Sequence, residues 1–312
     1  MTKPKLIAVA GPTASGKSAL ALELCRRFDG ELVSCDSMQI YRRMDIGTAK
    51  PTAEEMREIP HHLIDIVEPG ESFSCADWCE MAKTAIADIT ARGKLPIVCG
   101  GTGLYLDNLI TGNTFAEIKC DEAYREEMLT LSSEKLIEML RRVDPESAAA
   151  IHPNNRKRVV RALEIYHATG VPKSEWDRQS RTSEPPYDAL VLGLRYADRS
   201  VLYRRIDRRV DEMLRLGLIE EVRALSDSYS STSCQAIGYK ELFDYLDGSS
   251  TLEEAAEKIK HATRNYAKRQ MTWFNSKSYI TWIDVSERTT FKDIVNNAVS
   301  LLTDSQVCVI ID

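Results

Sequence analysis

The sequence predicts an α/β fold, a parallel sheet flanked by helices and interrupted by an all-helical insertion, and three observations predict it. An apolar run, Leu6 to Ala10, leads into Gly11-Pro12-Thr13-Ala14-Ser15-Gly16-Lys17-Ser18, and a helical pattern follows at Ala19, Leu20, Leu22 and Leu24. That is G-x-x-x-x-G-K-[ST] in its proper context, strand before and helix after, and it makes the sheet P-loop NTPase-like. A second glycine-rich loop, Gly100-Gly101-Thr102-Gly103, follows a second apolar run, Pro96 to Cys99. From about 113 to about 186 strand signals vanish and helical periodicity takes over. The expected organisation is a core of 1–112 and 187–312 with a helical insertion of 113–186.

Composition bounds the possibilities. A chain of 312 residues that is 43% hydrophobic can bury a full core. The net charge of −6 means that any nucleic-acid surface must come from local clustering of bases. A polar, lysine-containing start and the lack of an 18-residue apolar run argue against a signal peptide or membrane span. Eight cysteines, at 25, 35, 75, 79, 99, 120, 234 and 308, include no C-x-x-C pair, so metal or disulfide frameworks are not expected. A cytoplasmic monomer is the expectation.

In chain order, the loop at 11–18 comes first. Its amides and the helix N-terminus converge on one spot, Lys17 adds positive charge, and phosphates suit that geometry. Ser18 can offer its hydroxyl to Mg²⁺ riding on those phosphates. The motif leaves kinases, nucleotide hydrolases and transferases with a diphosphate leaving group all open. Glu31 to Cys35 reads as a strand ending in Asp36-Ser37-Met38-Gln39. Side chains past the carboxyl ends of parallel strands line the ligand crevice, so Asp36 belongs beside the phosphate loop. There it could bind Mg²⁺, take a proton or cap a turn. Gly47 and Pro51 mark a loop, and His62 to Asp65 reads as a third strand whose Asp65 could organise a metal. His61 and His62 lack a ligand-spaced third partner. Ser74 to Asp77 is a capping box that opens a helix ending near Gly93. Thr102, in the second glycine loop, could hydrogen-bond an anion or simply shape a turn.

Within the insertion, Arg156, Lys157, Arg158 and Arg161 put four bases into six residues at the start of a helix. Such a run is usually a solvated face, but positive charge opposes the dipole at a helix N-terminus, which favours an anionic partner. Ala189 to Leu194 resumes the sheet, and a helix from Ser200 to about Leu225 places Arg205 and Arg209 on one face toward the crevice. Gln235 to Lys240 begins another helix. Lys258, Lys260, Arg264, Lys268, Arg269 and Lys277 then occur with no acid between Lys258 and Lys277, with 260, 264 and 268 in one stripe suited to a nucleic-acid backbone. Ser278 to Val285 is a last strand, and 289–312 a helix covering the sheet.

Together these blocks resemble the tRNA dimethylallyltransferases. The resemblance spans nearly the whole chain: GPTASGKS at 11–18, SCDSMQIYRRMDIGTAKP at 34–51, GGTGLY at 100–105, HPNNRKRVVRALE at 152–164, QAIGYKE at 235–241 and ATRNYAKRQMTWF at 262–274. It implies transfer of a dimethylallyl group from dimethylallyl diphosphate to N6 of the adenosine 3′ of the anticodon in tRNA. It implies that 11–18 bind the diphosphate, with Mg²⁺ on Ser18, and that Asp36 is the base, with Thr102 and Arg209 stabilising the leaving group. It further implies tRNA contacts at Asp36, Ser37, Met38 and Gln39, at Lys157, Arg158, Val159, Val160 and Arg161, and at Gln235, Ala236, Ile237, Gly238, Tyr239 and Lys240, with the insertion clasping the anticodon stem-loop. Ser18 departs from the Thr that many relatives carry but keeps the hydroxyl. The zinc-finger extension of eukaryotic relatives is absent, which suits the bacterial type.

The competing expectations are an adenylate isopentenyltransferase, which would have little use for the insertion, and a small-molecule P-loop kinase, marked by ATP turnover. A non-catalytic RNA-binding module would leave the P-loop and Asp36 without a role.

Overall fold

A computed structural model describes residues 3–113, 121–180, 184–225, 229 and 232–305. The chain divides into two compact units, Met1–Ile110 with Pro186–Asp312, and Thr111–Pro185.

The first unit is built on six parallel strands: β1 (Lys5–Ala10), β2 (Gly30–Ser34), β3 (His61–His62), β4 (Leu95–Gly100), β5 (Asp188–Tyr196) and β6 (Ile280–Val285). Their order is β3-β2-β4-β1-β5-β6. Strands buried on both faces read as continuous apolar runs, which is why KLIAVA and LPIVCG lack alternation. Helices α1 (Lys17–Arg27), α2 (Ala53–Glu58), α3 (Cys75–Ala91) and α4 (Gly103–Thr111) alternate with the first four strands. In the second unit lie α5 (Glu122–Thr130), α6 (Ser133–Val143), α7 (Pro145–Ala150), α8 (Arg156–Thr169) and α9 (Lys173–Ser180). Returning to the first unit, the chain forms α10 (Arg199–Arg215), α11 (Leu218–Ala224), α12 (Lys240–Leu246), α13 (Leu252–Asn275) and α14 (Phe291–Asp304).

Leu20 and Leu24 of α1 and Ala298 and Leu302 of α14 are fully buried in one apolar cluster with Ile7, Leu192 and Leu194 of the sheet. Each such leucine contributes ~1.5–3 kcal/mol by leaving water. Trp78 of α3 is also fully buried; its indole donates to Ser34 O at 3.0 Å and stacks on Tyr105 at 4.8 Å. The second unit has its own core of Met128, Leu136, Leu140, Val159, Val160 and Leu163.

Three elements depart from the sequence reading. The third strand is only His61–His62, because Leu63 and Asp65 adopt φ of 63° and 55° and leave the extended region. The helix expected over 200–225 breaks in two where Gly217 takes φ 103°. The segment from Gln235 does not open a helix directly: a short 3₁₀ turn, Ser233–Gln235, and a turn through Gly238 precede α12, which starts at Lys240. The last helix spans Phe291–Asp304, and residues 306–312 of the expected tail lie outside the described residues, as do Cys120 and Cys308. The six described cysteines are free thiols, and no helix among the described residues is long and apolar enough to cross a membrane.

Candidate active site

Because β2, β4 and β1 are neighbours, the loops leaving their carboxyl ends stand side by side. After β2 comes Asp36, after β4 the loop 100–103, after β1 the phosphate loop. Backbone bonds continue the sheet upward, Cys35 N donating to Cys99 O at 2.8 Å and Thr102 N to Cys35 O at 3.2 Å. Thr102 Oγ1 accepts from Ser37 N at 3.0 Å and lies 3.3 Å from Ser37 Oγ. Asp36 Oδ1 accepts from Met38 N at 2.9 Å, an Asx turn that holds the carboxylate at the mouth of the crevice.

The phosphate loop is braced from outside. Tyr196 OH donates to Ser15 O at 2.9 Å and Arg205 Nε to Ala14 O at 2.8 Å. Gln270 of α13 is a staple that sequence reasoning missed: its Oε1 accepts from Thr13 N at 2.9 Å and its Nε2 donates to Gly101 O at 2.9 Å. A Cβ on residue 101 would stand 2.1 Å from Gln270 Nε2, so only glycine leaves room.

Two cavities open here, and Arg209 lines both. The first, about 550 Å³, is lined by Gly16, Lys17, Ser18, Arg205, Arg208 and Arg209, with Leu22, Leu32 and Ile64 supplying apolar wall. Burial pushes the Lys17 ammonium below its ordinary value; neighbouring Arg209 acts the same way and Asp36 opposes it. Burial likewise lowers Arg209, against the pull of Asp36. Cations stripped of water on a cavity wall favour an anionic occupant. The second cavity, about 470 Å³, is lined by Asp36, Ser37, Met38, Thr48, Gly238 and Tyr266, and Arg209 lines it too. Burial raises the Tyr266 phenol well above the ordinary range, with nearby Asp36 acting the same way. The arrangement can hold an anion at 11–18 and present a second group to the Asp36 carboxylate, with Arg209 between them.

The structure sorts the remaining candidates. Gln39 is spent on a brace, Oε1 accepting from Ser34 Oγ at 2.9 Å and Nε2 donating to Thr48 O and Ala49 O at 3.2 and 3.1 Å. Tyr239 is fully buried, its hydroxyl on Glu221 at 2.6 Å, and Ala236 is buried; Gln235 and Lys240 are exposed and Ile237 half-buried. In the second unit Lys157 and Arg158 are exposed, whereas Val159 and Val160 are core residues, correcting any reading of their side chains as ligand contacts. Arg161 pairs with Glu164 at 3.3 Å. Asp65, the acid considered for a metal, pairs with Lys50 at 2.5 Å. His62 bonds Glu31 at 2.8 Å and is structural. Of the basic stripe, Lys260 pairs with Asp211 at 2.8 Å and Arg264 with Asp207 at 2.7 Å, so these two cations form a seam with α10, while Lys268 is exposed.

Comparison with known proteins bears on this geometry. The family model described as IPP transferase matches residues 39–277, and that described as isopentenyl transferase matches 4–68. A protein of Caldanaerobacter subterraneus subsp. tengcongensis named tRNA dimethylallyltransferase is 49% identical over 94% of this chain and 96% of its own. One of Geobacillus thermodenitrificans with the same name is 50% identical over 91% of each. Among solved structures, the full-length tRNA isopentenylpyrophosphate transferase of Bacillus halodurans is 46% identical with a TM-score of 0.73 over 97% of both chains. A eukaryotic dimethylallyltransferase acting on tRNA is 31% identical with a TM-score of 0.85, covering 97% of this chain and 79% of its own. With a family model over most of its length and relatives near half identity end to end, the chain belongs to the IPP transferase family, the tRNA dimethylallyltransferases.

Proposed function

We propose that this enzyme transfers a dimethylallyl group from dimethylallyl diphosphate to N6 of the adenosine 3′-adjacent to the anticodon of tRNA, releasing diphosphate. The observation that carries the reading is that Arg209 lines two cavities, one lined by Lys17 and Ser18 and the other by Asp36. The diphosphate belongs in the first, on the phosphate loop at 11–18 with Lys17, and beside Arg205 and Arg209. The adenine belongs in the second, everted from the anticodon loop, since a stacked base cannot reach a carboxylate set inside a cavity wall. An exocyclic amine is a weak nucleophile because its lone pair is delocalised, and Asp36 accepts its proton as the N–C bond forms. Arg209, Lys17 and Thr102 stabilise the charge that grows on the departing diphosphate.

Mg²⁺ fits at Ser18, an exposed hydroxyl at the first turn of α1 on the wall of the first cavity. Among the described residues no three His, Cys, Asp or Glu side chains converge, so diphosphate oxygens and water would complete its shell, the usual habit of this ion. Bound there, it would neutralise part of the leaving-group charge. Lys157, Arg158 and Arg161 would meet the stem-loop backbone, with the 113–186 segment clasping it. The reading carries with it a cytoplasmic monomer, the compartment where free thiols and tRNA coexist.

The test is to incubate the protein with labelled dimethylallyl diphosphate and either unmodified tRNA or AMP, digest, and identify the labelled nucleoside. Label on N6 of the adenosine beside the anticodon is expected. Label on AMP alone would assign an adenylate-modifying enzyme, and phosphorylated product from ATP a kinase.

A further inference from the structure

Residues 44–50 run between the two cavities, Ala49 and Lys50 on the wall of the first, Gly47 and Thr48 on the wall of the second. No regular element supports this segment, so its shape must come from other bonds. One end is tied by Lys50, whose buried ammonium donates to Tyr41 O at 2.7 Å, Asp45 Oδ1 at 2.7 Å and Asp65 Oδ1 at 2.5 Å. The other end is tied by Glu221 of α11. Its Oε2 accepts from Asp45 N and Ile46 N, each at 2.8 Å, and its Oε1 accepts from Gly47 N at 3.0 Å. Three consecutive amides converging on one carboxylate form the anion-holding concavity usually seen around bound phosphates, here filled by a side chain of the chain itself.

The same Oε1 accepts a fourth bond, from Tyr239 OH at 2.6 Å. Tyr239 belongs to 235–240, of which Gln235, Ala236, Ile237, Gly238 and Lys240 line the second cavity. Its ring packs close against residue 47, where a Cβ would stand 2.4 Å from the ring. Glu221 therefore joins two chain segments that both line the second cavity, and its carboxylate makes no hydrogen bond to 11–18 among the described residues.

We propose that Glu221 is a positioning residue for the acceptor nucleotide: by holding the amides of 45–47 and the Tyr239 hydroxyl on one carboxylate, it sets the width of the cavity that receives the base. This rests on the reading that the second cavity takes the adenine of tRNA. Glu221→Gln preserves size but removes the charge and turns an NH₂ toward N–H donors, so at least one amide loses its acceptor. Loss of a charge-assisted bond predicts a fall in kcat/KM for tRNA of about 10- to 100-fold. The fall appears in KM for tRNA more than in kcat, and inorganic diphosphate binds as tightly as to the wild type.

The experiment measures transfer from dimethylallyl diphosphate at varied tRNA, with diphosphate binding by calorimetry and thermal midpoint on the same preparations. A Glu221→Gln protein with wild-type kcat/KM for tRNA overturns the proposal. Parallel loss of tRNA use and diphosphate binding also overturns it, because that pattern marks general loosening. Should Glu221→Gln not fold, Tyr239→Phe deletes one of the four bonds and is expected to raise KM for tRNA about 3- to 10-fold; an unchanged KM there is equally fatal. Failure of the wild type to label tRNA at all sinks the functional reading itself, and the wild-type control separates the two outcomes.

Discussion

Helix α8 and the first half of α13 carry similar basic runs and use them in opposite ways. In α13, Lys258, Lys260 and Arg264 each meet a carboxylate, of Asp244, Asp211 and Asp207, at 2.7–2.8 Å. In α8, Lys157 and Arg158 stand exposed at the first turn with no ion pair among the described residues, while Arg161 is held by Glu164. Both runs satisfy the same local pattern; only the neighbours differ. A helix laid against an acidic partner uses its cations as a seam, and one without such a partner leaves them for a ligand. The same division holds inside the crevice, where Arg205 is tied to Ala14 O and Arg209 faces both cavities.

Substitutions can break or sharpen that contrast. The largest effect belongs to the acid that faces the cavities: Asp36→Ala should lower turnover by about 10²- to 10⁴-fold with tRNA affinity nearly intact, and unchanged single-turnover rates would remove Asp36 as the base. Arg209→Ala should slow transfer by about 10²- to 10³-fold and weaken diphosphate binding; normal values for both would take Arg209 out of the site. Next comes Lys157→Ala combined with Arg158→Ala, which should reduce the slope of log K for tRNA against log salt by about 1.4–1.8, counting two lost phosphate contacts. If the slope holds, the α8 cluster is a solvated face and the contrast fails. The smallest effect is expected from Lys260→Ala with Arg264→Ala. Removing two half-exposed pairs costs about 1 kcal/mol, seen in chemical denaturation, and leaves the salt slope as it was. A slope that fell here would return α13 to the RNA surface.

How much of this was legible beforehand varies from residue to residue. GPTASGKS between an apolar run and a helical pattern carries its own structural context, so the strand, the loop and the orientation of Lys17 all follow from local sequence. Asp36 is readable because parallel topology forces every strand's carboxyl end to one edge. Gln270 escaped because its partners, Thr13 N and Gly101 O, are 257 and 169 positions away and are backbone atoms, which leave no mark on side-chain pattern. Glu221 escaped for the same reason. In its own helix it is one acid among several, and its value lies in three amides 174 to 176 residues upstream.

The chain's order of residues was therefore enough to establish the parallel sheet, the phosphate loop and the acid beside it, since hydrophobic period, glycine spacing and strand polarity act over a few residues. Packing alone chose which charges are neutralised and which face a cavity. An ion pair such as Arg264 with Asp207 depends on where two helices cross, and that crossing is set by the burial of the apolar core around them.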